Sequence, residues 1–215
     1  MAQDWKERLS YLPNPFAIFF TGPPAIGKSC ICKKVGEILH LPVKKLDQAI
    51  IKDQGVKRLK EVSDLPDFPK IEGRVFQQTI ENLEGINLFD LGGSGPWMNI
   101  KPPNDNFPWK FPLQAYGVVV RLVAPHAWIL ERIQWRIKNN GDDGGIDMQG
   151  CSTYEELLVK RELVYRDVAD FTIPVIDGNR DAAADFCAET LIREGVVPRI
   201  KRISARPHKN LPIAA

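Results

Sequence analysis

Short unbroken apolar runs alternate along the chain with longer stretches whose apolar residues recur every three or four positions. Phe16-Ala17-Ile18-Phe19-Phe20 is such a run, bounded by proline before it and glycine behind it, the pattern of a strand buried on both faces. Ile31, Val35, Ile38 and Leu39 then follow at helical spacing. Residues 41–46 read as a second strand ending at Asp47, and 48–59 as a helix, before the proline-marked stretch 63–69 interrupts the pattern. Val75, Phe76, Ile80 and Leu83 predict a helix over 71–84, and 85–91 a third strand. The fourth strand is 117–123, with a helix over 127–138 behind it that turns Ile129, Leu130, Ile133 and Ile137 inward. Thr153 and Glu156 form a candidate capping box for a helix running to about Asp170. Residues 171–176 are the fifth strand, and Asp181 caps a last helix that stops at Gly195. Strands alternating with helices imply an α/β fold: a five-stranded parallel sheet with helices on both faces, in three layers.

Between the first strand and first helix stands Gly22-Pro23-Pro24-Ala25-Ile26-Gly27-Lys28-Ser29, a full match to G-x-x-x-x-G-K-[ST]. Strand, glycine loop and helix stand in the order a phosphate cradle requires. The loop amides and the helix N-terminus face the phosphates, Lys28 reaches the β- and γ-phosphates, and Ser29 offers its hydroxyl to Mg²⁺. The expected nucleotide contacts run from Gly22 to Cys30, and ATP and Mg²⁺ are the expected cofactors.

Composition narrows this only a little. Hydrophobic residues make up 44% and charged residues 26% of 215 residues, enough for one α/β domain with a substantial core. The net charge of +2 comes with no basic block in the body of the chain, so no nucleic-acid partner is expected. No apolar run approaches the roughly 20 residues that span a bilayer, and the N-terminus lacks a signal-peptide pattern. Cys30, Cys32, Cys151 and Cys187 show no metal-ligand spacing, which suits reduced thiols in a cytoplasmic setting. The expected organisation is a lead-in over 1–14, a P-loop domain over 15–195 and a basic tail over 196–215. Within the domain lie a glycine- and acid-rich loop at about 139–152 and a proline-aromatic stretch at 96–115. A monomer or weak dimer is expected.

Ligands of open α/β sheets sit beyond the carboxyl ends of the strands, which picks out Asp47, Asp90 and the Gly92-Gly93-Ser94 turn. Asp90 closes an apolar strand, as a metal-supporting aspartate does; a solvated strand cap is the plainer alternative. Arg161 falls within an apolar helical stripe of Leu157, Leu158, Val164, Tyr165 and Val168. A guanidinium buried there needs a partner, either a structural acid or the anionic group of a ligand held by its two-pronged fork.

With these residues in hand, the segments GPPAIGKS, LDQAI, LGGSG, YGVVVRLVAPHAWILERI, ELLVKRELVYRDVADFTI and IDGNRD resemble shikimate kinases, in order, across roughly 15–192. The resemblance implies phosphoryl transfer from MgATP to a hydroxyl. It implies that Asp47 holds the acceptor's hydroxyls, that Gly92 and Gly93 begin the substrate-binding glycine turn, and that Arg161 grips a carboxylate. Gly178-Asn179-Arg180 would be the adenine-side loop, and Arg136 a lid-side arginine near adenine. Lys28, Asp47 and Arg161 would carry the catalysis, with Ser29 and Asp90 supporting the metal. The chain also departs from the family. Lys45 replaces the first aspartate of D-x-D, and Ser94 the third glycine of the turn. The F-R-x-x-E helix, placed at 76–81, lacks its arginine, and the lid reads GDDGGIDMQG. A small, acidic acceptor is expected; the alternatives are a catalytically silent nucleotide- or metabolite-binding relative, and a gluconate-type or nucleotide kinase.

Overall fold

The computed structural model describes residues 7, 10, 16–63, 65–92, 113–141, 146, 148, 150–176 and 178–198. Most of the expected lead-in, insertion and tail, together with Gly93, Ser94 and much of the lid, lie outside the described residues.

Five strands form one parallel sheet: β1 (Ala17–Thr21), β2 (Val43–Lys45), β3 (Asn87–Asp90), β4 (Gly117–Val123) and β5 (Phe171–Pro174). Their spatial order is β2-β3-β1-β4-β5 and every pairing is parallel. The helices are α1 (Lys28–Leu39), α2 (Leu46–Gln54), the short α3 (Lys60–Ser63), α4 (Phe68–Glu81), α5 (His126–Asn140), α6 (Tyr154–Val168) and α7 (Arg180–Arg193). Because β1 is central, all five of its residues are buried, which its unbroken apolar run requires.

The period of two along β1 and β4 divides the core. Ile18, Phe20, Val118, Val120 and Leu122 face α1, α5 and α7; Ala17, Phe19 and Val119 face α2 and α4. On the second face Phe19, Phe76 and Phe89 pack as tilted rings, centroids 5.6–5.9 Å apart. Each such ring buries enough apolar surface that truncation to alanine costs about 3–5 kcal/mol.

Several boundaries differ from the sequence reading, each for a local reason. Leu46 and Ile50 are both fully buried one helical turn apart, so the chain turns helical at Leu46, and Asp47 sits in the first turn of α2 rather than at a strand end. That helix stops at Gly55, whose φ of +65 closes it, well short of residue 59. Helix α4 begins at Phe68, because Pro69 in the first turn lacks only an N–H the helix would not have used. Strand β3 starts at Asn87, whose side-chain amide donates to the Glu84 and Gly85 carbonyls. Asn179 caps α7 by accepting from the Ala182 N–H, while Asp181 forms an ion pair with Lys34 instead. Ile137 is 40% exposed, not inward. Thr153 does accept from the Glu156 N–H, and Glu156 reaches back to the Ser152 N–H. Strand β5 stops at Pro174, two residues before the expected end.

Candidate active site

The loop between β1 and α1 is shaped by close approach. Gly22 has φ +144, and a Cβ there would stand 2.6 Å from the Leu122 carbonyl oxygen on β4. Ala25 takes φ +61, a left-handed conformation that costs a residue with a Cβ about 1–2 kcal/mol. Its carbonyl accepts a 2.8 Å hydrogen bond from Arg132 Nε on α5. Ile26 is fully buried and pins the loop to the core. Lys28 Nζ arches back to donate to the Gly22 and Pro23 carbonyls at 2.9 and 3.1 Å. Burial pushes the Lys28 pKa down to about 8, with Asp90 opposing and Arg161 adding to the depression.

In front of this loop lies a cavity of about 470 Å³, within the range of small-molecule sites. One part is lined by Ala25, Gly27, Arg132, Arg136 and Arg180. Arg180 lies so close over the loop that a Cβ on Gly27 would come within 2.8 Å of its Cδ. The other part is lined by Asp47, Phe68 and Arg161 from α2, α4 and α6 and by Leu59 and Gly92 from turns. Lys28, Ser29 and Cys30, at the start of α1, line the cavity as well. The sheet topology thus brings Lys28, Asp47, Gly92 and Arg161, with the predicted Ser29, Arg136 and Arg180, onto one cavity, while predicted Asp90 is not among its lining residues.

Asp47 is held against the Gly92 backbone. Gly92 has φ +69, and a Cβ there would stand 2.8 Å from Asp47 Oδ1, so the turn admits only glycine without displacing the carboxylate. Burial raises the Asp47 pKa, nearby Asp90 raises it further and Lys28 pulls it back. Asp90 ends β3, is 5% exposed, and accepts from the Gly92 N–H at 3.4 Å. Lys45 is its register partner on β2. Arg161 is 2% exposed, is hydrogen-bonded to the Tyr165 hydroxyl and faces the cavity. On the next residue, Glu162 forms an ion pair with Arg121 of β4.

Some expectations are redistributed. Asn179 caps α7 and does not line the cavity, whereas Arg132, which the sequence reading missed, does. Its signal was there: it stands one turn before Arg136 on the same helical face. The 76–81 stretch is not at the cavity at all. Tyr116, which precedes β4, donates its hydroxyl to Gln77, and Gln77 donates to Glu81. Instead Phe68 lines the cavity and Glu72, four residues on, is 4% exposed. Phe68-Pro69-Lys70-Ile71-Glu72 therefore has the F-R-x-x-E spacing, with Pro69 where the arginine would stand. Arg74 does not fill the gap, because it pairs with exposed Asp53 at 2.5 Å.

Magnesium suits this set of donors. It is held through one or two carboxylates and keeps phosphate and water oxygens for the rest. Ser29 and Asp47 line the cavity, and Asp90 stands behind that lining, close enough to act on Asp47 and Lys28. No group of three or more His, Cys, Asp or Glu suited to a metal occurs among the described residues.

No family model matches the chain. A shikimate kinase of Tolumonas auensis is 31% identical over 162 residues, which span 73% of this chain and 85% of that protein. One from Leptospira biflexa is 23% identical over 171 residues, covering 78% and 91%. Among solved structures, the shikimate kinase from Acinetobacter baumannii in complex with shikimate superposes with a TM-score of 0.62 at 20% identity, over 88% of this chain and 99% of that one. The shikimate kinase of Bacteroides thetaiotaomicron gives 0.60, also at 20% identity, over 82% and 98%. The structural likenesses establish the P-loop kinase fold; the Tolumonas relative, matched over most of its length, places the chain in the shikimate kinase family.

Proposed function

We propose that the protein transfers the γ-phosphoryl group of MgATP to a hydroxyl of a small, acidic metabolite. The observation that carries this is one cavity shared by the lysine of the glycine loop, the half-buried Asp47 carboxylate and the buried Arg161. Phosphoryl transfer asks a protein mainly for positioning and charge stabilisation. Lys28 and the loop amides would hold the phosphates, while Arg132, Arg136 and Arg180 bound the nucleotide end. Ser29 and Asp90 would support Mg²⁺, which supplies charge neutralisation on the phosphates. Asp47 orients the acceptor hydroxyl and takes its proton, a role for which a raised carboxyl pKa is suited. Arg161 anchors the acceptor's anionic group. With Pro69 at the second arginine's position, shikimate is expected to bind weakly: one lost charge-assisted hydrogen bond, about 1.5–3 kcal/mol, is about ten- to a hundredfold.

The test is acceptor-dependent ADP release from MgATP across a panel of hydroxy acids, shikimate included. ADP release stimulated by one of them and abolished in Lys28→Met supports the reading. The metal assignment is tested separately by thermal melts with ADP at graded Mg²⁺. Asp90→Asn should require several-fold more Mg²⁺ for the same stabilisation, and an unchanged requirement removes Asp90 from the metal site. A second reading, a nucleotide-binding protein without turnover, is favoured by Lys45 beside Asp90 and by Pro69. It predicts that the nucleotide stabilises the fold while no acceptor stimulates ADP release.

A further inference from the structure

The nucleotide end of the cavity is closed by a ring of contacts that runs through a tryptophan. The Arg132 guanidinium lies over the Trp128 ring, 4.7 Å from its centroid, and donates through Nε to the Ala25 carbonyl. The indole also supports the loop before α7: a Cβ on Gly178 would stand 2.7 Å from Trp128 Cζ2. Two residues later, Arg180 returns across Gly27. The P-loop and the 178–180 loop are thus tied to each other twice, once directly and once through Arg132 and Trp128.

Ala25 explains why the tie matters. It is a non-glycine residue in the left-handed region, at φ +61, inside the loop that must present its amides to phosphate. Such a conformation persists only where the surroundings over-determine it. Arg132 supplies that constraint, and a guanidinium is held by an aromatic face more firmly than by an aliphatic side chain of similar bulk. Burial lowers the Arg132 pKa, with Arg180 and Arg136 acting in the same direction, and the Trp128 ring lies against the guanidinium as an attractive partner. We propose that Trp128 is a positioning residue for the nucleotide half of the site, acting through Arg132 to hold Ala25, and with it the phosphate-binding loop, in its binding conformation. This rests on the reading of that loop as a nucleotide site.

Calorimetric titration of MgADP into the full chain tests the proposal. Wild type must bind; if it does not, the nucleotide reading fails before Trp128 is in question. Given binding, Trp128→Phe should stay within about twofold of wild type, while Trp128→Leu and Arg132→Gln should each weaken MgADP about tenfold. Their double variant should be no weaker than either alone, because the two residues act in one chain. Ala25→Gly should restore much of the affinity in the Arg132→Gln background, since glycine adopts the left-handed conformation without support. Arg132→Gln keeps the proposal testable should the Trp128 variants fold poorly. Trp128→Leu equal to Trp128→Phe, an additive double variant, or no rescue by Ala25→Gly would overturn it.

Discussion

Burial holds the Lys28 pKa at about 8, against an ordinary 10.5, although the side chain donates to two loop carbonyls. The folded state therefore binds this proton less tightly than the unfolded chain. The resulting destabilisation is complete below about pH 8 and disappears as pH rises from there to 10.5, so folding stability gains across that window. Phosphate oxygens favour the charged form, so nucleotide binding should take up a proton near pH 8.5. Calorimetry in two buffers of different ionisation enthalpy would read that uptake, and Lys28→Met should abolish it. Uptake unchanged in the variant would assign the proton elsewhere. Arg161 carries the complementary expectation. Lys keeps the charge but not the fork, so Arg161→Lys should raise the acceptor KM about tenfold or more while leaving the nucleotide KM within about twofold. If the variant instead fails to fold, Arg161 serves α6 packing and not the acceptor.

At the level of elements, the first turn of α4 decides what the acceptor half can hold. A sequence reading that starts this helix at residue 71 places the family pattern at 76–81, on a segment whose Gln77 serves Tyr116. The structure starts it at Phe68, brings Phe68 to the cavity and buries Glu72. The error had a physical source: Pro69 looks like a breaker when read alone, yet a first-turn proline costs a helix nothing. Asp47 shows the same weakness from the other side, since only the burial of Leu46 and Ile50 one turn apart reveals that α2 has already begun. Phe68 is thus the marker for the missing arginine, and Pro69→Arg should restore it. Shikimate affinity should then rise about tenfold or more, read by calorimetry with MgADP present. An affinity unchanged by that substitution would show that residue 69 does not face the acceptor.

Over the whole molecule, residues scattered from 24 to 180 meet only because the parallel order β2-β3-β1-β4-β5 sets every strand's carboxyl end on one side. That much was legible in the chain, because unbroken apolar runs mark strands buried on both faces and the glycine loop marks the end at which ligands bind. What was not legible depends on contacts between distant segments: Arg132 bonding to Ala25 and the indole beneath Gly178 leave no local period. In the proposed reaction the γ-phosphoryl of ATP ends on a hydroxyl of an acidic metabolite. Phosphorus NMR of the protein with MgATP and the best acceptor of the hydroxy-acid panel tests it most directly. A phosphomonoester resonance should grow as the γ-phosphate of ATP disappears, and Lys28→Met should show neither change. A γ-phosphate that persists, or that appears only as inorganic phosphate, would rule out phosphoryl transfer to the acceptor.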